Sequence, residues 1–168
     1  MSTVPFVTCD LLDDNPEKDL QVVIPSMDGK FFQSYGARKT FGGQIVTVKC
    51  FEDNSCVKEL LATDGTDKVL VVDGGASMRC ALMGDMIAES AVKNNWNGVV
   101  IYGCVRDVDA LATLDLGVHA LAAIPQKSNR KGIGEVGTTL YFGGVTIQSG
   151  DFIYVDNNGI VISKEKLV

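Results

Sequence analysis

Two apolar runs rich in β-branched residues, Val69-Leu70-Val71-Val72 and Val99-Val100-Ile101, lie on either side of a stretch with helical spacing at residues 85–94. A strand that is apolar on both of its alternating faces is buried on both. Two such strands joined through a helix pair in parallel. This pattern constrains the fold more than any other feature of the chain, because it requires an α/β core. In all, strands are predicted at residues 44–50, 68–72, 98–101, 118–124, 138–142, 145–148, 152–155 and 160–163. A second helix is predicted at 54–62, and both helices open on Asn or Asp, residue types preferred at N-caps. The last four runs turn at Gly143-Gly144 and Asn158-Gly159, which predicts β-hairpins. The expected fold class is a mixed, β-rich α/β single domain over residues 1–168, ordered from about Phe6.

Charge and composition exclude several functions. The net charge of −6 removes the clustered Lys and Arg needed for counterion release from nucleic acid, so no direct nucleic-acid partner is expected. No run approaches the length of a membrane span, and the N-terminus does not read as a secretory leader, so no membrane partner is expected either. With one histidine, His119, a multi-imidazole zinc site is excluded, and that side chain is expected to be a satisfied core or interface residue. Five cysteines without a C-x-x-C pair suit a reducing compartment, and the expected location is cytoplasmic.

The chemistry concentrates where predicted elements end. Gly84-Asp85 precedes Met86 and Ile87 at a helix start, whose free amides attract a carboxylate. The next apolar strand delivers Arg106-Asp107. One helix and one strand separate Asp85 from Arg106, which brings two neighbouring strand ends to the same sheet edge. A hard oxygen ligand such as Asp107 can hold Mg²⁺ or Mn²⁺ and leave waters for exchange with substrate. Arg106 adds a permanently charged fork for a carboxylate or a developing enolate oxygen. Together these groups describe a pocket for a small 2-oxo acid of the size of pyruvate. Lys49 and Lys68 are the candidates for a Schiff-base alternative, although both read as solvated strand ends. The segment Gly132-Ile133-Gly134-Glu135-Val136-Gly137 matches a dinucleotide fingerprint by letter but leads into a strand, so it reads as a glycine-rich hairpin loop. The adjacent Arg130, Lys131 and Glu135 could cover an anionic site on a neighbouring subunit.

The sequence resembles the family that joins the regulator of ribonuclease E activity A (RraA) with the class II 4-hydroxy-4-methyl-2-oxoglutarate aldolases. The resemblance runs through residues 41–54, Val69-Leu70-Val71-Val72-Asp73-Gly74-Gly75 and Asn95-Trp96-Asn97-Gly98. It continues through Arg106-Asp107-Val108-Asp109, Lys131-Gly132-Ile133-Gly134-Glu135 and residues 154–160. It implies a swivelling β/β/α domain and a homotrimer. It also implies a lyase that cleaves 4-hydroxy-4-methyl-2-oxoglutarate to pyruvate, or decarboxylates oxaloacetate, with a divalent metal. The enzymatic members carry an aspartate, twenty intervening residues and then arginine-aspartate, matched here by Asp85, Arg106 and Asp107. By that resemblance Asp107 anchors the metal and Arg106 contacts substrate. Gly84, Asp85, Met86 and Ile87 grip the pyruvyl end, and Asp85 orients a water on the metal. The alternative implied by the same family is a protein-binding inhibitor of ribonuclease E. The dedicated aldolases carry a C-terminal extension that supplies a further acid from a neighbouring subunit. This sequence, read to Val168, is expected to lack that extension.

Overall fold

The computed structural model describes residues 4–26, 29 and 31–168. A short helix α1 (Thr8–Asp13) is followed by two brief strands, β1 (Gln21–Val22) and β2 (Gln33–Ser34). The central part is β3 (Phe41–Lys49), α2 (Ser55–Leu61), β4 (Lys68–Asp73), β5 (Ala81–Met83), α3 (Asp85–Lys93), β6 (Gly98–Val105), α4 (Val108–Leu111) and β7 (Gly117–Ala123). The C-terminal part is β8 (Glu135–Val136), β9 (Leu140–Phe142), β10 (Val145–Ile147), β11 (Phe152–Asp156) and β12 (Gly159–Ser163). The main sheet runs β1-β12-β11-β3-β4-β6-β7-β2, with β5 beside β6 and β8 beside β3. Strands β3, β4, β6 and β7 are parallel, as the strand–helix–strand pattern requires. The flanking pairs are antiparallel.

Alternation along the parallel strands fills both sides of the sheet. Leu70, Val72, Val99 and Ile101 face the helices and pack with Val57, Leu61, Ala88 and Ala91. Val69, Val71 and Val100 face the other way and join Phe41, Ile45, Leu140, Ile153 and Ile162. Each of these large side chains is about fully buried, worth roughly 1.5–3 kcal/mol apiece for Val, Leu, Ile and Phe before the entropy of ordering them is counted.

The two predicted hairpins form with different turns. Phe142 pairs with Val145, leaving Gly143 and Gly144 as a two-residue loop with φ of 62° and 72°. Both central residues of a type I′ turn need positive φ, which glycine supplies without strain. In the second hairpin Asp156 pairs with Gly159, so the turn residues are Asn157 and Asn158, not the expected Asn158-Gly159. The Asp156 carboxylate accepts the Asn158 N–H at 2.8 Å and closes that turn.

Three local expectations are corrected. The N-cap of α3 is Gly84, with Asp85 as its first residue, and Asn54 caps α2 without a side-chain hydrogen bond. Both side chains are drawn to other partners, described below. His119 is 5% exposed on β7, and neither ring nitrogen has a hydrogen-bond partner among the described residues, so it is buried but not satisfied. Its ring meets Phe41 edge-on at 5.6 Å.

Candidate active site at the ends of two parallel strands

Strand β5 was not anticipated, yet it sets the site. It runs parallel to β6, and the Arg106 N–H donates to the Met83 carbonyl at 3.0 Å. The chain leaving β5 at Gly84 and the chain leaving β6 at Arg106 therefore emerge side by side at the carboxyl edge of the sheet. That edge is where α/β proteins place ligands. Asp85, Arg106 and Asp107, predicted to converge, line one cleft of about 440 Å³ together with Gly84, Met86 and Ile87.

The groups are locked together by backbone contacts. Asp107 sits in the left-handed region at φ 55°, ψ 43°, a conformation that Asp tolerates better than most non-glycine residues. From there its Oδ2 accepts the Asp85 N–H at 3.1 Å and so caps α3 from outside the helix. Arg106 Nε lies 3.8 Å from the same oxygen, and both side chains are 39% exposed. Gly84 makes this approach possible. A Cβ there would collide with Asp107 Oδ2 and stand 3.2 Å from Cγ and Nε of Arg106.

The amides expected to grip a carboxylate are partly engaged. Asp85 N–H is held by Asp107, and Met86 N–H donates to Asp85 Oδ1 at 2.7 Å. The Ile87 N–H has no such partner among the described residues, and the Met86 N–H would become free if the Asp85 side chain turned away. Asp85 and Asp107 each use one carboxylate oxygen in these bonds and leave the other without a hydrogen bond among the described residues. Two such oxygens on one wall suit a hard cation that keeps most of its waters. No group of three or more His, Cys, Asp or Glu forms a closed metal cage among the described residues.

Sequence reasoning missed the opposite wall, formed by Asn54, Lys127, Ser128, Asn129 and Arg130. Arg130 Nε donates to Asn54 Oδ1 at 3.2 Å, which draws the Asn54 side chain away from the free amides of α2. The segment is anchored by Asp53, which is 4% exposed. Its carboxylate accepts hydrogen bonds from Ser55 N and Oγ, Lys131 N and Ile133 N at 2.6–3.2 Å. Burial alone would raise its pKa, but these four donors outweigh burial and bring it down to about 2. An Asp-Asn pair directly before a helix that opens on Ser is the signal that could have revealed this anchor. Arg130 thus lines a cleft in its own chain, whereas Lys131 and Glu135 lie outside it. Lys49 is exposed, Lys68 donates to the Asp64 carbonyl at 3.2 Å, and neither lines this cleft.

Fold and site together define a member of a known family. The chain belongs to the RraA-like Aldolase/RraA family, whose model matches residues 8–162. A protein of Acinetobacter baylyi provisionally named 4-hydroxy-4-methyl-2-oxoglutarate aldolase is 81% identical over 99% of this chain and 98% of its own length. A Pseudomonas aeruginosa protein with the same provisional name is 56% identical over 96% of each chain. A Geobacillus kaustophilus crystal structure described as an S-adenosylmethionine:2-dimethylmenaquinone methyltransferase superposes with a TM-score of 0.90. It is 40% identical and covers 96% of this chain and 97% of that one. The RNA-processing inhibitor RraA from Thermus thermophilis gives a TM-score of 0.87 at 38% identity, covering 96% of this chain and 94% of that one. These names attach three activities to one fold, so the side chains of the cleft must decide between them.

Proposed function

We propose that this chain is a divalent-metal-dependent carbon–carbon lyase that cleaves 4-hydroxy-4-methyl-2-oxoglutarate to two molecules of pyruvate and also decarboxylates oxaloacetate. The observation that carries this reading is the meeting of Asp85, Arg106 and Asp107 in one cleft at the start of α3. The provisional names of the 81% and 56% identical relatives support it. Asp107, with Asp85 beside it, would hold Mg²⁺ or Mn²⁺, which when bound supplies Lewis acidity to the 2-oxo oxygen. The substrate's pyruvyl carboxylate takes the Ile87 N–H and, once Asp85 turns, the Met86 N–H.

In the aldol direction the C3–C4 bond breaks and its electron pair moves between C2 and C3, giving the enolate of one pyruvate. The 4-hydroxyl gives up its proton and becomes the carbonyl of the second pyruvate. The free oxygen of Asp85 accepts that proton through a water. Arg106 lays positive charge where negative charge grows on the C2 oxygen, so its stabilisation increases toward the transition state. A proton then returns to C3. Oxaloacetate loss of CO₂ leaves the same enolate.

Pyruvate release from both substrates, followed with Mg²⁺ or Mn²⁺, tests the reading. Turnover is expected with either metal, with loss in EDTA and in Asp107→Asn. Equal turnover under all these conditions would remove the metal assignment. Exposed Phe51, Ile133 and Val136 beside the β3–β8 edge support self-association as a homotrimer, to be checked by sedimentation. Five free thiols support a cytoplasmic setting.

The likeness to the RNA-processing inhibitor favours a second reading, binding of ribonuclease E by this acidic chain. Co-precipitation with ribonuclease E, in the absence of metal-dependent turnover, would support it over the lyase.

A further inference from the structure

We infer that the cavity lined by His119 is a second small-molecule site, built for a neutral aromatic ring that carries a hydroxyl group, a ligand of the phenol class. The inference does not depend on the lyase reading, because this cavity shares no residue with the cleft that holds Asp85, Arg106 and Asp107. His119 pairs in register with Val100 of β6, and Arg106 follows six residues along that strand, roughly 20 Å away at about 3.3 Å per residue.

The chain builds the cavity from both ends of its main sheet. Val22 of β1 and Ile160 of β12 stand at one end of the strand order and His119 of β7 near the other, yet all three line one space of about 270 Å³. The sheet therefore curls until its ends approach, and Pro25, Phe31 and Phe32 add to the lining. Val22 and Phe31 stay 44% and 54% exposed, which gives the cavity an apolar rim open to an incoming ligand.

One polar group in this lining is unspent. His119 is 5% exposed, and its two ring nitrogens are the only buried side-chain nitrogen or oxygen atoms without a hydrogen-bond partner among the described residues. Asp156, also in the lining, has both oxygens engaged by Thr8 and Asn158. Burial holds the imidazole neutral at physiological pH, so it offers one N–H donor and one bare nitrogen acceptor. Folded chains rarely leave such a group dry, because its desolvation is then uncompensated. A lone water is a poor substitute, since Val22, Val23, Phe31, Phe32 and Ile160 offer it no polar partners. The ring already lines the cavity, and a turn about its Cβ–Cγ bond presents a nitrogen to a ligand, with Phe41 backing the ring edge-on at 5.6 Å.

Three properties of the site identify the ligand. A hydroxyl both donates and accepts, so it satisfies either nitrogen of the imidazole, whichever carries the proton. The phenyl groups of Phe31 and Phe32 favour a ring, because aromatic faces and edges attract one another. Phe32 itself leans on Tyr102 and Phe142 at 6.2 and 6.0 Å, and that support fixes its place in the wall. Charge is disfavoured, since an ion would be stripped of water among apolar walls with no free counter-ion in the lining. Lys39 and Asp156 also act on His119 in opposite directions, which leaves no dominant field of either sign.

His119 is the one histidine in the chain, so its imidazole can be read directly by nuclear magnetic resonance. Titration of the isotope-labelled full chain with phenol should saturate and shift a ring nitrogen resonance in the direction of a newly hydrogen-bonded imidazole. Toluene, of the same shape without the hydroxyl, should bind and leave that resonance nearly in place. In His119→Leu, calorimetry should show phenol binding weakened about threefold to tenfold while toluene binding holds, which also verifies that the variant keeps the cavity. Absence of saturable phenol binding, saturation that leaves the imidazole resonances unmoved, equal shifts with both ligands, or unchanged phenol affinity in the variant would each overturn the site.

Discussion

The carboxylate of Asp107 caps the backbone N–H of Asp85 at 3.1 Å across a sequence separation of 22 residues. One bond thereby joins the end of β6 to the beginning of α3 and sets the spacing of the groups around the cleft. It satisfies an amide that the helix leaves open and favours negative charge at the positive end of its dipole. Because Asp107 is held by Asp85, and Arg106 by Met83, the position of every charged group on this wall follows from the pairing of β5 with β6.

Gly84→Ala tests that spacing. The Gly84 backbone is extended, at φ −126° and ψ −161°, so a methyl group meets no backbone strain and acts only through space. It would push Asp107 off the Asp85 amide and crowd Arg106. The expected stability cost is that of a lost cap, about 1 kcal/mol, or about 2–4 °C in melting temperature. Pyruvate release should fall about a hundredfold or more, since the guanidinium and the carboxylate both move. A variant that melts lower yet turns over normally would show that this contact serves only the helix.

Arg106→Ala removes charge without touching the strand pairing, because the bond to Met83 comes from the backbone. The side chain is partly exposed and its ion pair with Asp107 is long at 3.8 Å. Stability should therefore change by no more than about 0.5–1 kcal/mol. Turnover should drop about a hundredfold or more. A large loss of stability measured by chemical denaturation would contradict this separation of roles.

The strong periodic segments were legible in the sequence, and the pairings imposed from outside were not. Both main helices, the four parallel strands β3, β4, β6 and β7, and the C-terminal hairpins announce themselves by apolar spacing. In contrast β1 and β2 span two residues each, too few to show a period, and exist because Gln21 meets Ile162 and Ser34 meets His119. Strand β5, Ala-Leu-Met, consists of good helix formers held extended by β6. Helix α1 buries only Thr8 and Leu11 and is secured by Thr8 bonding to Asp156 far along the chain. The same division runs through the site. Asp85, Arg106 and Asp107 follow from one helix–strand unit, whereas the cap made by Asp107 depends on a left-handed backbone. The wall carrying Lys127 and Arg130 depends on a buried carboxylate elsewhere, Asp53, and neither dependence has a local signature.

Asp53 should give the fold an acid-sensitive component. Its ordinary value of 3.8 falls to about 2 in the folded chain because four donors outweigh burial. The folded form therefore holds the carboxylate anion more strongly than the unfolded chain does. The resulting stability, on the order of 2 kcal/mol, is fully present above about pH 4 and is lost as the pH falls toward 2. Asp53→Asn should lack this component, so the stability difference from wild type should shrink between pH 4 and pH 2 in urea titrations.

His119 should produce a second, separate pH response. Burial, reinforced by Lys39, lowers its pKa from 6.5 to about 4, while Asp156 acts in the other direction. The unfolded chain thus binds a proton between pH 6.5 and 4 that the folded chain refuses, and stability falls with acidification through that window. The loss amounts to roughly 3 kcal/mol at its fullest. His119→Phe keeps an aromatic ring against Phe41 and removes both unpartnered nitrogens, so it should be more stable than wild type at pH 5 and show a flatter profile. Melting measured from pH 7 to pH 4 decides the point. Parallel curves for the two proteins would mean that the imidazole has a partner in solution that compensates its burial.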